Sequence, residues 1–138
     1  MDEAQRDSLL TQTPTLGQAL LDTAAKYPDN PLLIFPDQRL SYAEMVERAW
    51  QQAEHLNGLG IGAGDHVGLL MPNCPEYLEL LFGTLLLGAM AVPINARNKA
   101  TELAYVIDNS DIKVLITNDL ASEYVNFADL LHLSLIHI

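Results

Sequence analysis

The stretch DHVGLLMPNCPEYLELLFGTLLLGAMAVPIN, residues 65–95, decides the fold of this chain. It begins with a short apolar run of strand length, 67–71, which a Pro-Asn pair ends. The helix that follows is apolar nearly all round, and Gly88 ends it before a second apolar run, 90–94. An apolar helix between two apolar strands is typical of a buried crossover in a parallel sheet. The stretch therefore predicts one βαβ unit.

The helix of this unit has a recognisable start in Cys74, Pro75 and Glu76. Proline fits the first helical position because its missing N–H would have no partner there, and Glu76 places negative charge at the positive end of the helix dipole. Cys74 is the single cysteine, so the chain has no intramolecular disulfide and no CxxC metal spacing. A thiol at a helix start is a candidate nucleophile. Since no His or Asn partner is recognisable, we predict a buried or helix-capping role instead.

Upstream of this unit, the sequence predicts a helix and a small hairpin. Leucines and alanines recur at helical spacing between residues 16 and 26, with Thr15 as the N-cap. A proline-containing turn ends this helix, and residues 32–35 form a short strand that turns back at Arg39. Residues 1–14 carry acids and no apolar core, so we expect a flexible tail and neither a signal peptide nor a transit peptide.

A second helix is predicted to begin after Ser41. The Ser41 hydroxyl and the Glu44 carboxylate are spaced for a capping box, and the helix runs to about residue 57, with Gly58 as a left-handed stop. Glycines recur between residues 58 and 64, but they miss the G-x-G-x-x-G spacing and precede a strand, whereas a phosphate-binding loop follows one. They therefore predict a helix end and a tight turn.

Downstream, Asn98 is the predicted N-cap of a helix over 99–108, and 113–117 is the next strand. The alternation of helices and strands predicts an α/β fold of βαβ units with a mostly parallel sheet. Residues 120–131 are predicted to be weakly helical. The last six residues, LSLIHI at 133–138, begin where an element should continue and match one reading frame of a transposon adapter end used in sequencing libraries. We therefore expect non-native read-through there, and a truncated sheet.

The composition is that of a globular protein with one modest core: 138 residues, 49% hydrophobic and 18% charged. The net charge of −11 disfavours nucleic acid and anionic membrane surfaces, because both attract basic proteins. The longest apolar run, 80–94, is shorter than the roughly 18 residues that a membrane span needs, so no integral membrane segment is expected. A single cysteine suits a reducing compartment, and we expect a cytoplasmic protein.

Six short motifs within residues 15–118 resemble, in order and spacing, the N-terminal region of the AMP-dependent synthetase and ligase superfamily. They occupy residues 40–44, 64–67, 72–76, 88–95, 102–105 and 113–117. Members of this superfamily are acyl-CoA synthetases, luciferases and peptide-synthetase adenylation domains. The resemblance implies that residues 15–132 are the N-terminal part of an AMP-binding domain, the large domain of an adenylate-forming enzyme.

The resemblance also implies a two-step reaction. A carboxylate attacks the α-phosphate of ATP to give an acyl-adenylate and pyrophosphate, and a thiol, usually that of CoA, then displaces AMP; Mg²⁺ balances the charge on phosphate. The parent protein is thus expected to be an acid–thiol ligase that uses a small carboxylic acid, ATP and CoA. The family's Ser/Thr/Gly-rich loop with its lysine does not occur in this sequence. We therefore expect a scaffold that has no catalytic residue or metal ligand, binds no cofactor tightly and is inactive alone.

Residues 93–97, Pro-Ile-Asn-Ala-Arg, look like the Pro-Leu-Asn-Pro-Arg turn of acyl-CoA synthetases. In some relatives the arginine of this turn contacts the 3′-phosphate of CoA, and Arg97 matches it; a guanidinium suits a phosphate. The alternative is an ordinary surface arginine. Adenylation domains usually carry aspartate at the position of Asn95, which favours a CoA ligase. Ala96 replaces the usual proline, so a looser turn is expected.

Two other functions stay open from the sequence. One is a non-catalytic α/β module that binds a partner through its exposed sheet; open edges and apolar faces would also make a fragment self-associate. The other is an adenylation domain that loads a carrier protein. The residues encoded after position 132 discriminate, because a phosphate loop indicates an enzyme, a natural stop indicates the module, and a carrier domain indicates the third function.

Overall fold

The computed structural model describes residues 15–119 and 136–137, and within them an α/β fold. The helices are α1 Leu16–Lys26, α2 Tyr42–Gly58, α3 Pro75–Leu86 and α4 Ala100–Asn109. The strands are β1 Pro31–Phe35, β2 Gln38–Ser41, β3 His66–Leu70, β4 Met90–Ile94, β5 Ile112–Thr117 and β6 Ile136–His137. The tail predicted for residues 1–14, the weak helix predicted for 120–131 and most of 133–138 lie outside the described residues.

The main sheet is parallel, with the strand order β4-β3-β5-β6. In β3 and β4, His66 lies opposite Met90 and Leu70 lies opposite Ile94 without a break in register. The βαβ unit predicted from residues 65–95 is therefore confirmed. β1 and β2 form a separate antiparallel hairpin, as the sequence also predicts. The expectation of read-through at 133–138 stays a prediction, although β6 pairs with β5.

Helices cover both faces of this sheet. Leu69 of β3 packs in one apolar cluster with Leu80 of α3, and the neighbouring Leu70 packs in a second cluster with Leu103 of α4. The chain moves from β3 to β4 in one direction along the sheet and from β4 to β5 in the other. Right-handed crossovers place such connections on opposite faces, which explains why β3 is buried on both sides.

The local signals at the starts of α1, α2 and α3 are confirmed. The Ser41 N–H donates to the Glu44 carboxylate over 2.8 Å, and the Glu44 N–H donates to the Ser41 hydroxyl over 3.2 Å, which completes the capping box of α2. The Thr15 hydroxyl accepts from the N–H of Gln18 and caps α1. Pro75 is the first residue of α3, after Cys74 in the N-cap position.

Two predicted helix ends are wrong by one or two residues. Gly58 is still helical, and the left-handed residue is Gly60, with φ +81°, whose N–H donates to the carbonyl of Asn57 over 2.9 Å. At the start of α4, Lys99 takes the N-cap position predicted for Asn98. Asn98 is held in the preceding turn, since its N–H donates to the Asn95 carbonyl.

Candidate functional site

Two loops meet at the edge of the sheet where β3 and β4 end. Because these strands are parallel, with Leu70 opposite Ile94, the loop after each strand emerges at this same carboxyl edge. Ligands of open α/β sheets bind at such edges. A cavity of about 590 Å³ lies here, and we call it the edge cavity. Its described lining residues are Met71, Pro72, Asn73, Tyr77, Pro93, Ile94, Asn95, Ala96 and Arg97.

The turn after β4 forms one wall of the edge cavity and is stabilised by two hydrogen bonds that Asn95 accepts. The Asn95 side-chain oxygen accepts from the backbone N–H of Arg97 over 3.0 Å, and the Asn95 carbonyl accepts from the N–H of Asn98 over 3.0 Å. Ala96 is buried in the apolar cluster that includes Leu70 and Leu103. These contacts hold the turn, although Ala96 stands where the family resemblance implies a proline, and they leave Arg97 exposed at the cavity.

Arg97 gives the edge cavity its charge. Among the described lining residues, Arg97 is the one that carries a charge. No Asp or Glu lies among them, although the chain as a whole has a net charge of −11. The Glu102 carboxylate caps α4, since it accepts from the N–H of Lys99 over 2.8 Å. A guanidinium at the cavity wall suits an anionic ligand such as a phosphate. The contact of Arg97 with the CoA 3′-phosphate stays a prediction.

Tyr77 is a lining residue that the sequence reasoning missed. It lies in the first turn of α3, where its ring is half-buried against the cluster formed by β3, β5 and their covering helices. Burial raises the pKa of the Tyr77 phenol, so the hydroxyl stays protonated and can donate a hydrogen bond at neutral pH. The sequence did contain a signal that could have identified Tyr77 as a lining residue. It is an aromatic residue in the first turn of a helix that follows the carboxyl end of a parallel strand.

Cys74 follows the lining residue Asn73 in the chain and fits the buried role predicted for it. Its sulfur is 3.9 Å from the sulfur of Met71 and 3.5 Å from the side-chain nitrogen of Asn118. Burial is the main cause that raises the pKa of the Cys74 thiol above its usual value. A nucleophilic cysteine needs the opposite shift, because the thiolate is the reactive form.

A second, apolar cavity of about 480 Å³ lies between α2 and β5. Its described lining residues are Gln52, His55, Leu56, Leu59, Leu80, Ile116 and Thr117. The Thr117 hydroxyl oxygen is buried and has no hydrogen-bond partner within the described part of the chain. Nothing in this lining resembles a phosphate site.

Nowhere among the described residues do three His, Cys, Asp or Glu side chains come together in a cluster that could hold a metal ion. None of the helices in the described part has the length and apolar character that crossing a bilayer requires.

The family model that matches the chain is that of the AMP-binding enzymes, over residues 20–135. A crotonobetaine/carnitine–CoA ligase of Salmonella paratyphi A is 38% identical over 108 residues, which are 75% of this chain and 21% of that protein. The long-chain-fatty-acid–CoA ligase FadD13 of Mycobacterium tuberculosis is 46% identical over 80 residues, 58% of this chain and 16% of FadD13. The chain thus spans about a fifth, or less, of the length of these relatives.

A solved structure, a fatty acyl-CoA synthetase of Mycobacterium tuberculosis, superposes on the chain with a TM-score of 0.78 at 35% identity. The match covers 87% of this chain and 24% of that one. The fold of the described residues is therefore that of the N-terminal part of an adenylate-forming enzyme, as the sequence motifs predict.

Proposed function

This chain belongs to the AMP-binding enzyme family, and from that premise we propose that it is the N-terminal part of an ATP-dependent carboxylate–CoA ligase. The observation that carries the proposal is that both curated relatives described above are CoA ligases. The whole protein would join a carboxylic acid to AMP with loss of pyrophosphate and then transfer the acyl group to the thiol of CoA. ATP and CoA are accordingly its proposed substrates, with Mg²⁺ as the metal and the cytoplasm as its location.

In this proposal the 138-residue chain is scaffold together with one binding turn. The sequence lacks the Ser/Thr/Gly-rich loop with its lysine, so the groups that stabilise charge on the reacting phosphate would come from other parts of the protein. Arg97 would contact the 3′-phosphate of CoA at the edge cavity through two charge-assisted hydrogen bonds. The absence of acidic side chains among the described lining residues supports this assignment.

The test begins with the genomic coding sequence beyond codon 132 and continues with the protein it encodes. We expect the complete protein to catalyse acid-dependent ATP–pyrophosphate exchange and to form a CoA thioester. The purified 138-residue chain is the control and should do neither; exchange by this chain alone would disprove its role as scaffold.

Three other results would overturn the proposal. Exchange followed by acyl transfer to a carrier-protein phosphopantetheine, with none to free CoA, would identify an adenylation domain. A natural stop after Ile138, together with no exchange, would identify a non-catalytic module. A complete protein without exchange on any carboxylic acid of a chemically diverse panel would exclude the ligase.

A further inference from the structure

Tyr77 and Arg97 line the same cavity from two different elements. Tyr77 comes from the first turn of α3, and Arg97 comes from the turn after β4. The position of Tyr77 is well supported, since its N–H donates to the Cys74 carbonyl over 3.1 Å and its ring packs on the apolar cluster beneath. A half-buried ring on a packed helix loses little freedom when a ligand binds, because its rotamer is already restricted.

The Tyr77 hydroxyl is available to a ligand. It forms no hydrogen bond with the rest of residues 15–119. Its oxygen is not one of the fully buried unpaired atoms of the described residues, so it keeps access to solvent. Tyrosine hydroxyls that are partly withdrawn from water usually have a partner, which makes an unpaired phenol at a cavity wall a candidate ligand contact.

We propose that Tyr77 is a CoA-binding residue, whose hydroxyl donates a hydrogen bond to the phosphorylated ribose unit that Arg97 binds by its charge. The inference rests on the proposed function of the whole protein. A neutral donor that lines the same cavity as a guanidinium can bind a phosphate oxygen that the arginine leaves without a partner. The hydroxyl, and not the ring, carries this role, so Tyr77→Phe is the decisive variant.

The experiment uses the complete protein and adenosine 3′,5′-bisphosphate as the probe, with binding measured by isothermal titration calorimetry. Tyr77→Phe should raise the Kd about three- to tenfold, the effect of losing one hydrogen bond. The matched control is Tyr105→Phe, which removes the hydroxyl of a 70% exposed tyrosine on α4 outside the edge cavity and should leave the Kd unchanged. Thermal unfolding verifies that both variants are folded.

Kinetics give a second, independent reading. Tyr77→Phe should raise the KM for CoA by a similar factor with little change in kcat, and it should not change the KM for dephospho-CoA, which lacks the 3′-phosphate. An equal effect on both thiol substrates would assign Tyr77 a structural role and overturn the inference.

The remaining outcomes separate the two proposals. Unchanged probe binding in Tyr77→Phe overturns the role of Tyr77 and leaves the ligase proposal intact. A complete protein that forms CoA thioesters but does not bind the probe also overturns the role of Tyr77 and leaves the ligase proposal intact. A complete protein that neither activates an acid nor binds the probe overturns both.

Discussion

Gly83 of α3 lies directly against the backbone of Ala49 in α2. A Cβ atom built on Gly83 would be 2.8 Å from the Ala49 carbonyl oxygen and 3.0 Å from the Ala53 nitrogen, which are backbone atoms that cannot turn away. The two helices therefore approach as closely as they do because residue 83 has no side chain. The crossover helix of the predicted βαβ unit, α3, thus packs closely against α2 as well as against the sheet.

Gly83→Ala should destabilise the chain by about 1–3 kcal/mol, the usual cost of overpacking. The matched control is Gly58→Ala, since Gly58 is helical and an added Cβ there meets nothing within 4 Å. This control should be neutral or stabilising by up to about 1 kcal/mol, because alanine is the better helix former. Urea unfolding of both variants measures the difference, and equal free energies of unfolding would refute the close packing.

The ion pair between Arg48 and Glu79 should also contribute to stability. The Arg48 guanidinium lies 2.9 Å from the carboxylate of Glu79, a residue that is only 6% exposed. Arg48→Met leaves this carboxylate without its partner and should cost about 1–3 kcal/mol. The control Arg39→Met removes an exposed arginine of β2 and should change the free energy by less than about 0.5 kcal/mol.

A double variant distinguishes loss of the pair from loss of packing by the arginine stem. Replacing both Arg48 and Glu79 by methionine should recover most of the stability, since no unpaired charge remains. A double variant as unstable as Arg48→Met would show instead that the aliphatic stem of Arg48 matters.

Local patterns were readable from the sequence because they depend on residues that follow one another along the chain. The Ser41 and Glu44 capping box and the alternation of strand, helix and strand over 65–95 are of this kind. The position of Gly60 shows the limit: several neighbouring glycines could end α2, and the sequence does not reveal which of them takes the left-handed conformation.

Contacts between distant residues were not readable. Glu79 is a carboxylate within an otherwise apolar helix, and the sequence does not reveal its partner, because Arg48 lies 31 positions earlier. Arg97 was found through a family motif, whereas Tyr77, which shares its cavity, was not. Their proximity depends on the register of β3 against β4, and hydrophobic periodicity does not encode that register.

The stability of the chain should depend on the ionisation of Asp65. The ammonium of Lys113 lies 2.9 Å from the Asp65 carboxylate, and the Gly62 N–H donates to the same oxygen over 2.8 Å. The Lys113 hydrogen bond is the main cause that holds the pKa of Asp65 below its usual 3.8. Because folding lowers this pKa, the stabilisation is present above the unfolded value and is lost as the pH falls through the folded one.

Asp65→Asn tests this pH dependence. The variant should be less stable than wild type at pH 7, and the difference should shrink below about pH 4, where wild type loses the charge. For Lys113→Met, the difference in stability from wild type should likewise shrink as the pH falls, since this variant removes the other member of the ion pair. Urea unfolding between pH 3 and pH 7 measures the stability of both variants and of wild type. A difference in stability that does not change with pH would contradict the role of the ionised Asp65 carboxylate.

Cys74 should react slowly in the folded chain. The residue is 8% exposed, and burial raises the pKa of its thiol, so both access and thiolate population are low. At pH 8 we expect a thiol reagent such as Ellman's reagent to modify the native chain at least about tenfold more slowly than the urea-unfolded chain. Equal rates would show that the thiol is accessible in the folded chain and would contradict the buried role of this cysteine.

Asn95 stabilises the turn after β4 through the oxygen of its side chain. Its side-chain oxygen accepts the Arg97 N–H, and an aspartate would supply the same acceptor at the same place. Asn95→Asp should therefore change the free energy of unfolding by less than about 0.5 kcal/mol, whereas Asn95→Ala should cost about 0.5–1.5 kcal/mol. If Asn95→Asp is as destabilising as Asn95→Ala, the turn requires the amide nitrogen as well as the oxygen. If the aspartate is tolerated, the turn accepts either residue, and the hydrogen bond to Arg97 gives no structural reason to read Asn95 as the mark of a CoA ligase.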